Sequence, residues 1–118
     1  MSNRLLGKSV FVTGADGFIG SHLIEQLVIS GANVRALVHY NSWNEIGWLR
    51  YLPKNLLDDV ELAFGDVRDT ETMHRNVKDC DYVFHLASLI AIPYSYGSPR
   101  SYVESNIVGT LNILEACK

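Results

Sequence analysis

Val10-Phe11-Val12-Thr13-Gly14-Ala15-Asp16-Gly17-Phe18-Ile19-Gly20-Ser21-His22 runs a short stretch of β-formers straight into three glycines spaced three residues apart. Ser9 to Thr13, apolar and ended by glycine, reads as a buried strand. Beyond the glycines, Ile19, Leu23 and Leu27, with Ile24 and Val28 beside them, recur at i, i+4, so a helix follows over residues 18–28, stopped by Gly31. A glycine-rich turn between such a strand and helix aims backbone N–H groups and the positive end of a helix dipole at one point. Gly14 permits the tight turn, Gly17 lets an anion approach the backbone, and Gly20 lets the helix close onto the sheet. The arrangement fits the pyrophosphate of a dinucleotide. A glycine-rich turn without a ligand is the plainer alternative.

Working outward, residues 34–38 form a second strand and, after a long connection to Asp59, residues 60–64 a third. Asp69 caps a helix over residues 70–77, and residues 81–86 make a fourth strand. Ser98-Pro99 opens a last helix that runs to Cys117, with Tyr102, Asn106 and Gly109 on one flank and Val103, Ile107, Leu111 and Leu114 along another. Strands alternating with helices predict an α/β fold, a parallel sheet covered by helices on both faces. The usual winding gives strand order 3-2-1-4.

The 118 residues are expected to form one domain, residues 1–118, burying roughly 60–70% of the unfolded chain's surface. A composition of 47% hydrophobic and 19% charged residues excludes a disordered chain. The net charge of −3, with acids and bases dispersed, offers no footprint for nucleic acid or an anionic membrane. An anionic ligand must therefore be held locally, by backbone groups or a few side chains. No run approaches the ~18 apolar residues of a membrane span, and residues 1–8 carry no export signal. Cys80 and Cys117 lack disulfide or redox spacing and read as reduced packing thiols in a cytoplasmic protein. His22, His39 and His74 are too scattered for a metal cluster, so no metal is expected.

With Thr13 ahead of it, the G-x-x-G-x-x-G turn resembles that of the extended short-chain dehydrogenase/reductases, the nucleotide-sugar epimerases and dehydratases. Gly65-Asp66-Val67-Arg68-Asp69, His85-Leu86-Ala87-Ser88 and the stretch from Asn106 to Ala116 carry the same resemblance in the same order, so that it covers the chain. It implies a Rossmann-like fold with NAD or NADP as cofactor. It assigns cofactor-binding positions to Gly14, Asp16, Gly17, Phe18, Ile19, Gly20, His39, Asp66, Val67, Leu86, Ala87, Ser88 and Ser105. By the resemblance, Asp66 holds the adenine amine and Val67 contacts the ring, while Leu86, Ala87 and Ser88 line the nicotinamide-side ribose and phosphate. The last helix carries a structural asparagine beside the cofactor. Read from the residues alone, Asp66 equally caps the turn after its strand. His85 reads as a hydrogen-bonded structural histidine rather than a base, and Asn106 and Asn112 as partners of backbone groups.

The carboxylate that reads a ribose from the end of the second strand, about 20 residues beyond the motif, is missing. Val38 takes its place, followed by His39-Tyr40-Asn41-Ser42. Its absence leans the choice slightly toward NADP, assisted by His39 or Arg35, although Arg35 is expected to point away. Asn41 and Ser42 suit an unphosphorylated ribose equally. Both tryptophans, Trp43 and Trp48, lie in the connection that follows, with Trp43, Ile46 and Leu49 or Arg50 near helical spacing. That pattern predicts an amphipathic cover over the sheet or adenine edge, or else a partner surface. The lead-in from His39 to Trp43 is similar to family members that dehydrate nucleotide-linked N-acetylglucosamine in making legionaminic-type acids.

The family's chemistry uses a tyrosine and a lysine four residues later. Here Tyr40, Tyr51, Tyr82, Tyr94, Tyr96 and Tyr102 are followed at that spacing by Asn44, Asn55, Leu86, Ser98, Arg100 and Asn106, and no catalytic residue is assigned. The expectation is the N-terminal cofactor-binding part of a nucleotide-sugar 4,6-dehydratase or epimerase, truncated before strands five and six and inactive alone. A nucleotide sugar is then the substrate of the full enzyme. The alternative is a non-catalytic NAD(P)-sensing module acting through a partner protein. An open edge on the fourth strand predicts a homodimer.

Overall fold

The computed structural model describes residues 5–39, 46–86 and 103–118. In chain order they form β1 (Ser9–Thr13), α1 (Phe18–Ile29), β2 (Asn33–His39), a 3-10 helical turn (Gly47–Tyr51), the single-turn α2 (Lys54–Leu57), β3 (Val60–Gly65), α3 (Thr70–Val77) and β4 (Tyr82–His85). A π-helical stretch, Val103–Val108, then leads into α4 (Gly109–Ala116). The strands are parallel and lie in the order β3-β2-β1-β4, as the alternation predicts.

Alternation along each strand divides the core in two, because successive side chains point to opposite faces of a sheet. Val10, Val12, Val34, Ala36 and Val38 pack on one face beneath Ile24 and Leu27 of α1 and Leu49 and Leu52 of the connection. Phe11 and Leu37 turn to the other face, where Met73 and Val77 of α3 and Ile113 of α4 meet them. Both faces are covered, which is why the strands read as continuous apolar runs. Asp69 caps α3 as expected, accepting from the Thr72 backbone N–H and, at 2.7 Å, from its hydroxyl.

The last helix sits differently from its apolar pattern. Ile107, Leu111 and Leu114 are 64%, 52% and 61% exposed, and α4 packs through Gly109, Asn112 and Ile113. A polar side chain sets this rotation. Asn112 Nδ2 donates to the Val67 carbonyl at 3.0 Å, and its Oδ1 accepts from Thr70 Oγ1 at 3.3 Å. A buried carbonyl needs its donor, and periodicity of apolar residues does not register that need. The predicted start of the helix at Ser98-Pro99 lies outside the described residues. Among the described residues, no helix is long and apolar enough to cross a membrane.

Replacing Asn112 by alanine leaves the Val67 carbonyl unpaired, and is expected to lower stability by about 1–3 kcal/mol in urea denaturation.

Candidate cofactor-binding site

Gly14 leaves β1 with φ +69°, a conformation glycine adopts freely, and the chain folds back at once into α1. At Gly20 a Cβ would overlap the Gly14 carbonyl oxygen and come within 2.9 Å of the Ala15 Cα. Gly17 is different. Its φ of −81° suits any residue, and a Cβ there would meet only the Gly14 oxygen, at 3.4 Å, the edge of ordinary contact. Nothing in the fold forces glycine at this position. Immediately beyond it, α1 begins with no side-chain cap and no acidic residue in its first turn. Phe18 and Ile19 stand 56% and 72% exposed around that helix end. Uncapped first-turn N–H groups and a surface kept clear of side chains fit a pyrophosphate.

Asp16 turns sideways from the helix end, toward β2. Its Oδ2 lies 3.4 Å from the His39 backbone nitrogen, and its carbonyl accepts from the Trp48 N–H at 2.9 Å. Trp48 stands edge-on to Phe18 with ring centroids 5.1 Å apart, and Tyr51 follows at 5.4 Å. The connection is thus a cover, fastened by Leu49 in the core and by Trp48 on the glycine turn. The amphipathic pattern predicts a cover or a partner surface here, and nothing in its spacing marks the seat on Asp16. Gly47, with φ +60° and its missing Cβ 2.5 Å from the Asp16 oxygen, was the available signal. Trp43 and residues 40–42 lie outside the described residues.

His39 ends β2 exposed, whereas Val38 is fully buried and turned into the core. Arg35 points away, as expected: its Nε pairs with Glu61 at 3.1 Å and its Nη1 donates to the Asn76 carbonyl at 2.8 Å. Asp66 follows β3, accepting from the Arg68 N–H and guanidinium. Partial burial alone would raise the Asp66 carboxyl, but these hydrogen bonds and the charge of Arg68 hold it below the ordinary carboxylate value. It is therefore an ionised acceptor at neutral pH. Val67, expected against a ring, buries its side chain beside Met73 and Ile113, so what it offers a ligand is main chain.

Leu86 is 40% exposed at the exit of β4, and its N–H donates to Thr13 Oγ1 at 3.0 Å. Ala87 and Ser88 lie outside the described residues, and Ser105 falls in the π-helical stretch. Gly14, Asp16, Gly17, Phe18, Ile19, Gly20, His39, Asp66 and Leu86 all gather around the carboxyl ends of the parallel strands. A cavity of about 230 Å³ lined by Ser9, Asn33, Arg35, Glu61 and Cys80 opens at the opposite, amino end. Burial raises the Cys80 thiol above its ordinary value, consistent with a packing role. Among the described residues, no cluster of histidine, cysteine or carboxylate side chains is set to hold a metal.

A parallel 3-2-1-4 sheet with a glycine-rich first turn at the carboxyl end of its strands defines a Rossmann-like, dinucleotide-binding class. The family model described as GDP-mannose 4,6 dehydratase matches residues 11–118, and the chain belongs to that family, within the extended short-chain dehydrogenase/reductases. UDP-glucuronate 4-epimerase 1 of Arabidopsis thaliana is 36% identical over 120 residues, covering 98% of this chain and 28% of that protein. A UDP-N-acetylglucosamine 4-epimerase from Methanobrevibacter ruminantium M1, solved with UDP-N-acetylmuramic acid, superposes with a TM-score of 0.80 at 33% identity, over 95% of this chain and 34% of that one. The Bordetella bronchiseptica enzyme WbmH, solved with NAD+, gives 0.75 at 26% identity, over 93% and 35%. The chain thus spans about a third or less of the length of these relatives.

Beneath the site, His85 is bonded through both ring nitrogens, with Nδ1 2.7 Å from Thr13 Oγ1 and Nε2 2.9 Å from Thr110 Oγ1. The Thr110 hydroxyl spends its proton on the Asn106 carbonyl at 2.8 Å, so it accepts from His85 Nε2–H, leaving Nδ1 to accept from Thr13. The ring is neutral in this chain, and burial lowers its pKa below the ordinary 6.5. A group depressed on folding gives stability above its unfolded pKa and loses it as pH falls through the folded one. Urea midpoints are therefore expected to drop between pH 7 and 5, and His85→Gln is expected to flatten that part of the profile.

Proposed function

We propose that the chain binds NAD at residues 14–20, as the cofactor-binding part of a nucleotide-sugar 4-epimerase or 4,6-dehydratase. The observation that carries the reading is Gly17, a glycine the fold does not require, standing at the uncapped start of α1. Two of the relatives are named as 4-epimerases of UDP-sugars, and a third, the enzyme WbmH, was solved with NAD+. In this assignment the first-turn N–H groups of α1 hold the pyrophosphate, the ionised Asp66 accepts from the adenine amine, and the main chain of Val67 borders the ring. The resemblance in sequence assigns Leu86, Ala87, Ser88 and Ser105 to the nicotinamide side. The bound nicotinamide supplies reversible hydride exchange with a sugar carbon. Catalytic proton transfer is assigned to no residue of this chain, in which no tyrosine has a lysine four residues on. The proposal includes association of two copies through the open edge of β4, where Tyr82 is 45% exposed. A monomeric mass by light scattering at high concentration overturns that part.

Two glycine substitutions separate fold from ligand. Gly17→Ser supplies a good helix cap, so the thermal transition should hold or rise, while NAD affinity by calorimetric titration falls at least about tenfold. Gly20→Ala should instead destabilise the protein by about 1–3 kcal/mol through overpacking against Gly14. Unchanged NAD binding in Gly17→Ser, or none in the folded wild type, removes the assignment.

A further inference from the structure

We infer that Asp16 is the ribose-reading carboxylate of this site, standing in for the one that the end of β2 lacks, and that it selects NAD over NADP. The inference rests on the dinucleotide reading above and deepens it.

An adenosine ribose seated at the carboxyl end of a doubly wound sheet needs an acceptor at the tip of the second strand. That tip holds Val38, fully buried, and His39, so β2 itself provides no carboxylate. Asp16 brings one to the same place from the neighbouring turn, with Oδ2 3.4 Å from the His39 backbone nitrogen. Its other oxygen, Oδ1, makes no hydrogen bond among the described residues.

A carboxylate within a pyrophosphate-binding turn would repel the ligand if it faced the helix end, and here it is held away. The Trp48 N–H takes the Asp16 carbonyl at 2.9 Å, and Gly47 presses against the same residue, its Cβ position 3.0 Å from the Asp16 Cβ. Trp48 is braced in turn by Phe18. The 3-10 turn therefore acts as a positioning element for the carboxylate.

The charges around the tip of β2 agree. Arg35 is committed to Glu61 and the Asn76 carbonyl, and Arg68 to Asp66. His39 acts electrostatically on Asp66. A 2′-phosphate there would meet the Asp16 carboxylate, whereas a 2′-hydroxyl would find an acceptor in it. The slight lean toward NADP drawn from the β2 sequence is reversed by this assignment.

The test is calorimetric titration of the protein and of Asp16→Asn with NAD, NADP and 2′-deoxy-NAD, each variant checked by circular dichroism and thermal melting. The wild type is expected to favour NAD over NADP by at least about tenfold, and Asp16→Asn to weaken NAD and narrow that ratio by about tenfold. Removing the 2′-hydroxyl should penalise the wild type and leave Asp16→Asn nearly unaffected. Asp16→Ser serves as a second variant should the amide fail to fold. A wild type that prefers NADP, or a ratio unmoved by either substitution while NAD still binds, overturns the assignment of Asp16 and leaves the NAD reading standing. No binding of either dinucleotide to the folded wild type overturns both.

Discussion

The closeness of α1 to the exit of β1 is the constraint on which the rest of the structure depends. Gly20 lies so near the Gly14 carbonyl and the Ala15 Cα that no side chain fits between them. That contact fixes the angle at which α1 leaves the sheet, and so places Ile24 and Leu27 on Val10, Val12 and Val34. It also leaves the first turn of α1 pointing beyond the strands, where no side chain of the first turn satisfies it. The packing that stabilises one face of the sheet and the exposure of an anion-seeking helix end thus come from one glycine.

A second tie holds the other flank. Thr13 at the end of β1, His85 at the end of β4 and Thr110 on α4 form a directed run of hydrogen bonds. It begins at the Leu86 N–H and ends on the Asn106 carbonyl. The Thr110 hydroxyl gives its proton to the Asn106 carbonyl and so accepts from Nε2–H, which sets the tautomer of the imidazole. The network pins the backbone leaving β4 beside the glycine turn, so the two sides of the site are set by different physics. One is steric and apolar, the other polar and dependent on a histidine that stays neutral.

Most of the architecture was legible because it rests on short-range patterns. Alternation in residues 9–13 and 33–39 separates the two faces of the sheet, Asp69 announces α3, and the strand–helix order admits few windings. Less was legible where one long-range polar contact outweighs periodicity. Ile107, Leu111 and Leu114 form an apolar flank in the sequence, yet α4 packs through Gly109, Asn112 and Ile113, with Asn112 bonded to the Val67 carbonyl, and the row stands in solvent. Thr110 carries no local sign that it completes the coordination of His85, twenty-five residues away. The glycine turn and Asp66 stand out in the sequence as candidates, whereas the seat of the tryptophan connection is a backbone contact between Asp16 and Trp48 that no spacing encodes.

The three glycines, taken together as one motif in the sequence, divide into two kinds in the structure. Gly14 and Gly20 are required by the chain itself, through a positive φ and a steric overlap. Gly17 has neither requirement, and serine there would cap the helix better. A residue that costs helix stability and answers no demand of the fold is explained by something outside the fold. The electrostatics point the same way. The chain carries a net charge of −3, and carboxylates, not lysines, stand around the turn. In the proposed assignment an anion would be held by the dipoles of the first turn of α1, whose influence fades beyond that turn. Attraction would be confined to that helix end, and a second phosphate placed a ribose away would meet the Asp16 carboxylate instead.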